Sequence, residues 1–296
     1  MDLTAWAIYT LTMKKIAVIG TGIMGSGIAA NYLKHGYKVW VWNRSPEHAA
    51  PFQELGATVV DTPKAATAAA DIVFEVTAND ESSQAVWQGD DGILAGAAAD
   101  KMLIASATLS VEWTLQLAEL CAGKGFDFFD MPLTGGRAAA EAGQLILLAG
   151  GDKAKLVALK PDLKAISAKL FYFGPAGSGM KYKLVLNSLQ AAHLAAFGEA
   201  MQLAVAQGLD PAMVGPALCD RPGGVLTQYA WGAYQANKPP LTFSVNWITK
   251  DLEYAHRMAE GQNSPIFEDV LKLYQTARAK GHGDEDWAAI LKLYKL

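Results

Sequence analysis

The chain has 296 residues, of which 51% are hydrophobic and 18% charged, and its formal net charge is −4. These proportions supply enough apolar material for two domains and exclude intrinsic disorder, which requires low hydrophobicity and high charge. The mild negative charge gives no reason to expect nucleic acid or an anionic membrane surface as a partner, and two cysteines cannot form a disulfide framework.

The first segment, residues 1–12, has an acidic residue directly after Met1 and no basic stretch before its apolar part, unlike a secretory signal. Met13 directly precedes the apolar run "KKIAVIG". We therefore interpret residues 1–12 as an extension outside the fold. Because no apolar run is long enough to span a bilayer, we expect a cytoplasmic protein without a membrane partner.

From Met13 to about residue 175, short β-rich runs alternate with alanine-rich segments that favour helix. The strand candidates are "KIAVIG", "KVWVW", "ATVV", "DIVFEV", "KMLIAS", "FDFFDMP", "QLILLAG" and "KLFYFG". This alternation is typical of βαβ units, and nearly continuous apolar strands fit a mainly parallel sheet covered on both faces. The pattern predicts a doubly wound, Rossmann-type α/β domain over residues 13–175.

The first strand candidate runs into a G-x-G-x-x-G turn, followed by a helical stretch and a second strand. Its residues are Gly20, Thr21, Gly22, Ile23, Met24 and Gly25. In this context the first glycine permits the tight turn, the second lets a pyrophosphate approach the backbone, and the third lets the helix pack closely. The helix start at Ile23 and Met24 then faces the phosphates. A glycine-rich turn without a ligand is the alternative.

The second strand ends in Asn43-Arg44, where an Asp or Glu that binds the ribose of NAD often stands. Asn43 removes the repulsion that a carboxylate exerts on a 2′-phosphate, and Arg44 offers a permanently charged, forked donor. These residues favour NADPH over NADH. The alternative is that Arg44 is a solvated surface charge.

After "GPAGSG", at residues 174–179, helical periodicity continues to Leu296. We predict a glycine-hinged boundary near residue 176 and an all-helical domain over residues 176–296. Its first helix, about thirty residues long and ending at Gly208, is apolar around much of its circumference, which favours burial on several sides. We interpret it as the interface of a homodimer or homotetramer; a central helix in a monomeric core is the alternative.

Two further stretches carry groups suited to catalysis. The turn Thr134-Gly135-Gly136 follows a strand, and its backbone N–H groups and hydroxyl suit a small carboxylate. Lys183 and Asn187 are four residues apart and share one helix face, which Lys181 does not. An ammonium beside a carboxamide suits a substrate oxygen, because the lysine can exchange a proton with it and the amide can orient it. The spacing of the histidines and cysteines predicts no metal site.

Together these motifs resemble the β-hydroxyacid dehydrogenase family, which includes 3-hydroxyisobutyrate dehydrogenase, tartronate semialdehyde reductase and glyoxylate/succinic semialdehyde reductases. The resemblance extends from about Met13 to Leu296 and rests on four motifs in the family's order. They are "GTGIMGSGIAANYLKHGYKVWVWNR", "DMPLTGGRAAAEAGQL", "GSGMKYKLVLN" and "FSVNWITKDLEYA".

The resemblance implies that Lys183 is the catalytic acid or base, that Asn187 orients the substrate, and that Thr134, Gly135 and Gly136 bind its carboxylate. The expected enzyme is an NADPH-preferring oxidoreductase that interconverts a small aldehyde acid with its hydroxyacid. Glyoxylate, succinic semialdehyde, tartronate semialdehyde and methylmalonate semialdehyde are the candidate substrates. Burial and the oxidised nicotinamide are expected to lower the pKa of the lysine toward about 7–8.

The resemblance also places Thr108 beside the nicotinamide and makes Phe243 and Lys250 reach back over the cofactor from the helical domain. The chain departs from the family pattern in places. Thr134 stands where serine is usual, and Leu186 replaces an asparagine. These changes bear on the identity of the substrate more than on the type of reaction.

Three other functions are alternatives. Imine reductases share this architecture but generally carry another residue at the position of Lys183. A decarboxylating 6-phosphogluconate-type enzyme is longer and has a histidine where this chain has Leu186. A non-catalytic NADP-binding sensor would not need the lysine, so its presence favours an enzyme.

Overall fold

The structure is a computed structural model, and it describes residues 13–220, 224–236, 239–258 and 265–294. The extension predicted over residues 1–12 lies outside the described residues. Within the described ranges, none of the helices is both long and apolar enough to cross a membrane.

Strands and helices alternate through the first half of the described chain, and helices alone make up the second half. The strands are β1 Ile16–Ile19, β2 Val39–Trp42, β3 Thr58–Val59, β4 Ile72–Glu75, β5 Met102–Ala105, β6 Asp127–Asp130, β7 Leu133–Thr134, β8 Leu145–Gly151 and β9 Ser167–Gly174. The helices of the first half are α1 Ile23–Lys34, α2 Pro46–Ala49, α3 Pro51–Glu54, α4 Pro63–Ala69, α5 Asp80–Trp87, α6 Ile93–Gly96, α7 Val111–Gly123, α8 Gly136–Glu141 and α9 Lys153–Leu163. Those of the second half are α10 Ser178–Ala206, α11 Pro211–Cys219, α12 Gly224–Ala236, α13 Val245–Met258 and α14 Pro265–Ala277, followed by a π-helical turn, Arg278–His282, and a 3₁₀ helix, Trp287–Leu293.

All the strands form one sheet in the order β3-β2-β1-β4-β5-β6-β8-β7, with β9 paired to β8. The six strands from β3 to β6 are parallel, whereas β8 runs antiparallel to β6 and β7. The predicted Rossmann-type, mainly parallel sheet followed by an all-helical region is confirmed. Because the strand order reverses between β1 and β4, a crevice for a ligand is expected above the carboxyl ends of these strands.

The centre of the sheet is buried on both faces. In β4, Ile72 and Phe74 join the apolar core that includes α1, whereas Val73 joins the core on the opposite face. At the edge, most residues of β9 are exposed. The prediction of a sheet covered on both faces is therefore wrong for β9, which has only β8 as a neighbour in the sheet.

Helix α10 connects the two halves. Its first turn lies in the sheet half, where Met180 is part of an apolar core, and its later residues Leu194 and Met201 lie in the core of the helical half. The predicted long helix ending before Gly208, which has a φ of +75°, is confirmed. Val185 and Leu189 on α10 are 55% and 64% exposed, so an apolar surface is available there, and the oligomeric interface stays a prediction.

The glycine-hinged boundary near residue 176 stays a prediction, and Gly179, in the first turn of α10, forms a close-packed joint with the sheet. A β-carbon on Gly179 would lie 2.2 Å from the carbonyl oxygen of Leu148 in β8. The glycine lets the helix backbone meet the sheet directly at this point.

Candidate active site

The turn after β1 is shaped by close backbone contacts. Gly20 has a φ of +102°, and a β-carbon there would lie 2.4 Å from the carbonyl oxygen of Val76. A β-carbon on Gly25 would lie 1.8 Å from the carbonyl oxygen of Gly20. Gly22 is different, because it is exposed and a β-carbon there would meet only open space. The protein thus excludes side chains at two of the glycines and leaves room above the third.

Helix α1 begins just beyond this open space, at Ile23 and Met24. Its N-cap residue is Gly22, no side chain caps its first N–H groups, and its first turn contains no acidic residue. Such a helix start carries free N–H groups and a partial positive charge, which together stabilise an anion. The residues present therefore fit the pyrophosphate of a dinucleotide.

Asn43, at the end of β2, is bonded to this turn. Its Oδ1 accepts a hydrogen bond from the backbone N–H of Thr21 at 3.0 Å, and its Nδ2 donates to the carbonyl of Ser45 at 3.0 Å. The first of these bonds was not predicted from the sequence. Arg44 is exposed beside it. A neutral amide and a cation therefore occupy the position where a carboxylate would oppose a 2′-phosphate.

Lys183 and Asn187 lie one turn apart on α10, and both are buried, with exposures of 8% and 3%. Lys181, in the same helix, is exposed. Burial lowers the pKa of Lys183 to about 8; nearby Asp251 opposes this shift, and Lys250 adds to it. A lysine with this pKa can give up or accept a proton near neutral pH.

Asp251 on α13 links the predicted residues into one network. Asn187 Nδ2 donates to Asp251 Oδ2 at 2.6 Å, and Lys250 Nζ lies 2.7 Å from Asp251 Oδ1. Lys250 Nζ also donates to the carbonyl oxygen of Thr108 at 2.7 Å, just beyond the end of β5. Lys183, Asn187, Lys250 and Thr108 are therefore brought together where α13 meets the carboxyl edge of the sheet.

Asp251 was not identified from the sequence, although it is only 1% exposed. Ile248, Leu252 and Ala255 lie on the same face of α13 and are also buried. A single acidic residue within an apolar helical stripe was the signal that could have identified it, because a buried carboxylate requires partners.

A second contact closes α13 over the sheet half. The backbone N–H of Asp80 donates to Tyr254 Oη at 3.2 Å, and the Lys250 ammonium lies 5.1 Å from the centre of the Tyr254 ring. Asp80 Oδ1 in turn accepts from the backbone N–H of Ser110 at 2.8 Å. The crevice is therefore bounded by α13 on one side and by the loops after β4 and β5 on the other.

The predicted carboxylate turn lies at the end of β7. Thr134 is paired with Ile146 of β8, and Gly135 and Gly136 have φ angles of +124° and +69°. Gly135 precedes α8 as its N-cap residue and leaves the helix start without a side-chain cap. Strand β8 also packs against α10, so the turn and the helix of Lys183 share a neighbour. Among the described residues, no hydrogen bond joins the turn to Lys183.

Phe243 lies in an aromatic cluster ahead of α13. Its ring centre is 6.0 Å from that of Trp247 and 5.8 Å from that of Trp287. Its carbonyl oxygen accepts a hydrogen bond from the backbone N–H of Trp287 at 2.7 Å. Its contact with a cofactor stays a prediction. Within the described part of the chain, no group of His, Cys, Asp and Glu is arranged to hold a metal ion.

Two protein-family models match the chain. Residues 15–174 match the NAD binding domain of 6-phosphogluconate dehydrogenase, and residues 177–294 match the NAD-binding domain of NADP-dependent 3-hydroxyisobutyrate dehydrogenase. The two matched segments divide the chain just ahead of α10.

Relatives with assigned names match nearly the whole chain. Glyoxylate/succinic semialdehyde reductase 2, chloroplastic, of Arabidopsis thaliana is 32% identical over 95% of this chain and 79% of its own length. The 3-hydroxyisobutyrate dehydrogenase of Pseudomonas aeruginosa is 30% identical over 96% of this chain and 99% of its own length. Human cytokine-like nuclear factor N-PAC is 28% identical over 96% of this chain, but the chain spans only 52% of that protein.

Solved structures show the same architecture. The Mycobacterium tuberculosis 3-hydroxyisobutyrate dehydrogenase with L-serine superposes with a TM-score of 0.85 at 26% identity, covering 96% of this chain and 100% of that one. Psf3 in complex with NADP+ and 2-OPP gives a TM-score of 0.86 at 26% identity, covering 94% and 99%. An imine reductase from Myxococcus stipitatus, at 18% identity, 95% and 99% coverage and a TM-score of 0.66, shares the fold alone.

Proposed function

The chain belongs to the β-hydroxyacid dehydrogenase family of nicotinamide-dependent oxidoreductases that act on CH–OH groups, and from this premise we propose that it interconverts a small aldehyde acid and its hydroxyacid, with NADPH preferred. The observation that carries the proposal is the buried pair Lys183 and Asn187 on α10, beside the bonds that join Asn187 to Asp251 and Lys250 to the carbonyl of Thr108. A lysine ammonium buried near the carboxyl edge of a dinucleotide-binding sheet can stabilise the negative charge that develops on a substrate carbonyl oxygen.

When bound, the nicotinamide supplies or takes up the hydride. In the reductive direction, the Lys183 ammonium stabilises the charge that develops on the carbonyl oxygen and gives it a proton. In the oxidative direction, the neutral Lys183 amine takes that proton from the hydroxyl. A pKa of about 8 allows both protonation states near neutral pH.

Asn187 is held in one orientation by Asp251. Because one N–H of its carboxamide donates to Asp251 Oδ2, the second N–H and Oδ1 are left for the substrate. Asp251 also favours the protonated form of Lys183. In this proposal, the Thr134-Gly135-Gly136 turn binds the substrate carboxylate, so that the carbonyl lies in line for transfer.

The cofactor is proposed to lie over the glycine turn. The uncapped start of α1 would bind its pyrophosphate, and the pair Asn43 and Arg44 would accept its 2′-phosphate. Lys250 and Phe243 would cover the nicotinamide end from the helical half. The division at residues 13–175 and 176–296, a cytoplasmic location and a homodimer or homotetramer remain parts of this proposal.

The test follows NADPH absorbance with glyoxylate, succinic semialdehyde, tartronate semialdehyde and methylmalonate semialdehyde, with NADH in parallel. We expect turnover with at least one of these substrates and a higher kcat/KM with NADPH than with NADH. A higher kcat/KM with NADH would overturn the cofactor assignment and leave the reaction type intact.

Two further outcomes would replace the proposal. Faster reduction of a cyclic imine than of every aldehyde acid would identify an imine reductase. Tight NADPH binding without turnover of any substrate would instead indicate a sensor. Both measurements use the same protein preparation and the same cofactor titration.

A further inference from the structure

Asp130, the last residue of β6, is completely buried, and both of its carboxylate oxygens bond to the segment that opens α10. Oδ1 accepts from the backbone N–H of Gly177 at 2.7 Å, and Oδ2 accepts from the backbone N–H of Met180 at 2.7 Å. Burial raises the pKa of Asp130 to about 6, although these hydrogen bonds lower it. The carboxyl is therefore ionised at neutral pH and acts as an acceptor for both N–H groups.

The surrounding glycines keep side chains out of this joint. A β-carbon on Gly150, the partner of Asp130 in β8, would lie 2.4 Å from Asp130 Oδ1 and 2.8 Å from the backbone nitrogen of Gly179. Met180 is buried in the core of the sheet half, and its Sδ accepts from the N–H of Leu109 at 3.2 Å. The start of α10 is thus fixed by a charge, by backbone contacts and by an apolar anchor.

We propose that Asp130 is a positioning residue that fixes the start of α10 against the sheet and thereby sets the place of Lys183 in the crevice. The proposal rests on the role of Lys183 in the proposed function. Lys183 is three residues beyond Met180, less than one helical turn, so a displacement at Met180 is carried directly to the lysine. Because Asp130 is completely buried, it acts on the substrate only through the position of α10.

The first test is Asp130→Asn, which keeps the shape of the side chain but turns an N–H donor toward one of the two backbone N–H groups. We expect kcat to fall about 10- to 100-fold, the effect of a misplacement of about 1 Å, without a change in the KM for NADPH. The apparent pKa of Lys183 should rise from about 8 toward its ordinary value of 10.5 as the amine loses its buried place. Partial unfolding alone would lower kcat without moving that pKa.

The matched control is Asp127→Asn. Asp127 lies on the same strand, and its carboxylate pairs with Lys155 at the surface. We expect wild-type kcat and an unchanged pH profile for this variant. A wild-type kcat and pH profile in Asp130→Asn would overturn the proposal.

Gly150→Ala is the second variant, for use if Asp130→Asn does not fold. Its methyl group would meet both the carboxylate of Asp130 and the backbone of Gly179, so it displaces the start of α10 without changing the charge of Asp130, and kcat should fall in the same way. Gly123→Ala, where a β-carbon meets nothing within 4 Å, is its control. A Gly150→Ala enzyme with wild-type kcat would contradict the proposal.

Hydrogen exchange separates this proposal from the proposed function. In the wild-type protein without substrate, the amides of Gly177 and Met180 should exchange slowly, and in Asp130→Asn they should exchange faster. If the wild-type protein is inactive but shows slow exchange that becomes faster in Asp130→Asn, the proposed function is refuted and the role of Asp130 in holding the start of α10 is kept. Unprotected exchange at both amides in the wild-type protein would refute the proposal that Asp130 holds the start of α10.

Discussion

Two glycine-rich turns in this chain each follow a strand and lead into a helix, and they have opposite uses. In the turn from Gly20 to Gly25, no side chain caps the start of α1, and Gly22 faces open space. In the turn from Gly174 to Gly179, the buried carboxylate of Asp130 accepts from the N–H groups at the start of α10. The turn from Gly20 to Gly25, called the open turn below, is accessible to an external anion. The turn from Gly174 to Gly179, called the filled turn below, already binds the carboxylate of Asp130.

Backbone packing does not distinguish the two turns. A β-carbon on Gly25 would meet the carbonyl of Gly20, and one on Gly179 would meet the carbonyl of Leu148. In both turns glycine permits two backbone segments to approach closely, so the glycine pattern alone indicates close backbone packing and not a bound ligand. The source of the anion decides whether the turn binds a ligand or joins two elements.

Lys183→Ala should have the largest effect, because it removes the group that the filled turn holds in place. We expect kcat to fall about 10²- to 10⁴-fold, the usual contribution of a general acid or base, with NADPH binding retained. The control is Lys181→Ala, which removes an exposed lysine from the same helix. Near-normal turnover of Lys183→Ala in the NADPH absorbance assay would refute the catalytic role.

Gly179→Ala should destabilise the protein even without cofactor, because the filled turn has no space for a methyl group. We expect a loss of about 1–3 kcal/mol in the free energy of unfolding, as for an overpacked core. Urea denaturation measures it, with Gly232→Ala as control, since a β-carbon there meets nothing within 4 Å. Equal stability of the two variants would show that the joint is looser than described.

The pH dependence of the rate should follow the pKa of Lys183, which burial lowers to about 8. The filled turn contributes to this burial by fixing the start of α10. Reduction requires the ammonium, so its rate should fall as the pH rises through this value, by about tenfold per unit at higher pH. Oxidation requires the neutral amine, so its rate should rise over the same range. Profiles measured in both directions that share the same sign would exclude Lys183 as the titrating group.

Gly22→Ala should distinguish the open turn from the filled one. The apo protein has space for the methyl group, so its melting temperature should not change. The affinity for NADPH should fall by about tenfold, because the methyl group obstructs a charge-assisted contact with the pyrophosphate. Fluorescence titration measures this affinity, and an unchanged value would mean that the pyrophosphate does not lie over this turn.

Arg44→Ala should have the smallest effect, since Arg44 is exposed and solvent screens its charge. We expect NADPH binding to weaken by about two- to fivefold, as for an exposed ion pair, and NADH binding to stay unchanged. Lys38→Ala, at the other end of β2, is the control. An equal loss for both cofactors would assign Arg44 to another part of the dinucleotide.

Much of the fold could be predicted from the sequence, because local periodicity carries that information. The strands from Ile16 to Asp130 and the long helix α10 follow from apolar runs and glycine boundaries. The antiparallel strand β7 does not follow from the sequence, since its two residues come directly after Pro132 and run into the Gly135-Gly136 turn. The exposure of β9 was also missed, because an apolar run does not reveal whether a strand lies at an edge.

The candidate site was only partly predictable. Lys183, Asn187 and Lys250 follow from motifs, whereas Asp251, which bonds to both Asn187 and Lys250, does not. The bonds of Asp130 to Gly177 and Met180 could not be predicted, because nearly fifty intervening residues separate them. Pairing of this kind is set by the folded topology, and spacing along the chain does not reveal it.

The continuity of α10 has a consequence for folding cooperativity. One uninterrupted helix supplies Met180 to the core beneath the sheet and Met201 to the core of the other half. Unfolding of either core would unfold the part of α10 that it contains and so weaken the packing of the other core. The two halves are therefore expected to unfold in one step, although each has a core of its own. A break in this helix would free each half to melt at its own temperature.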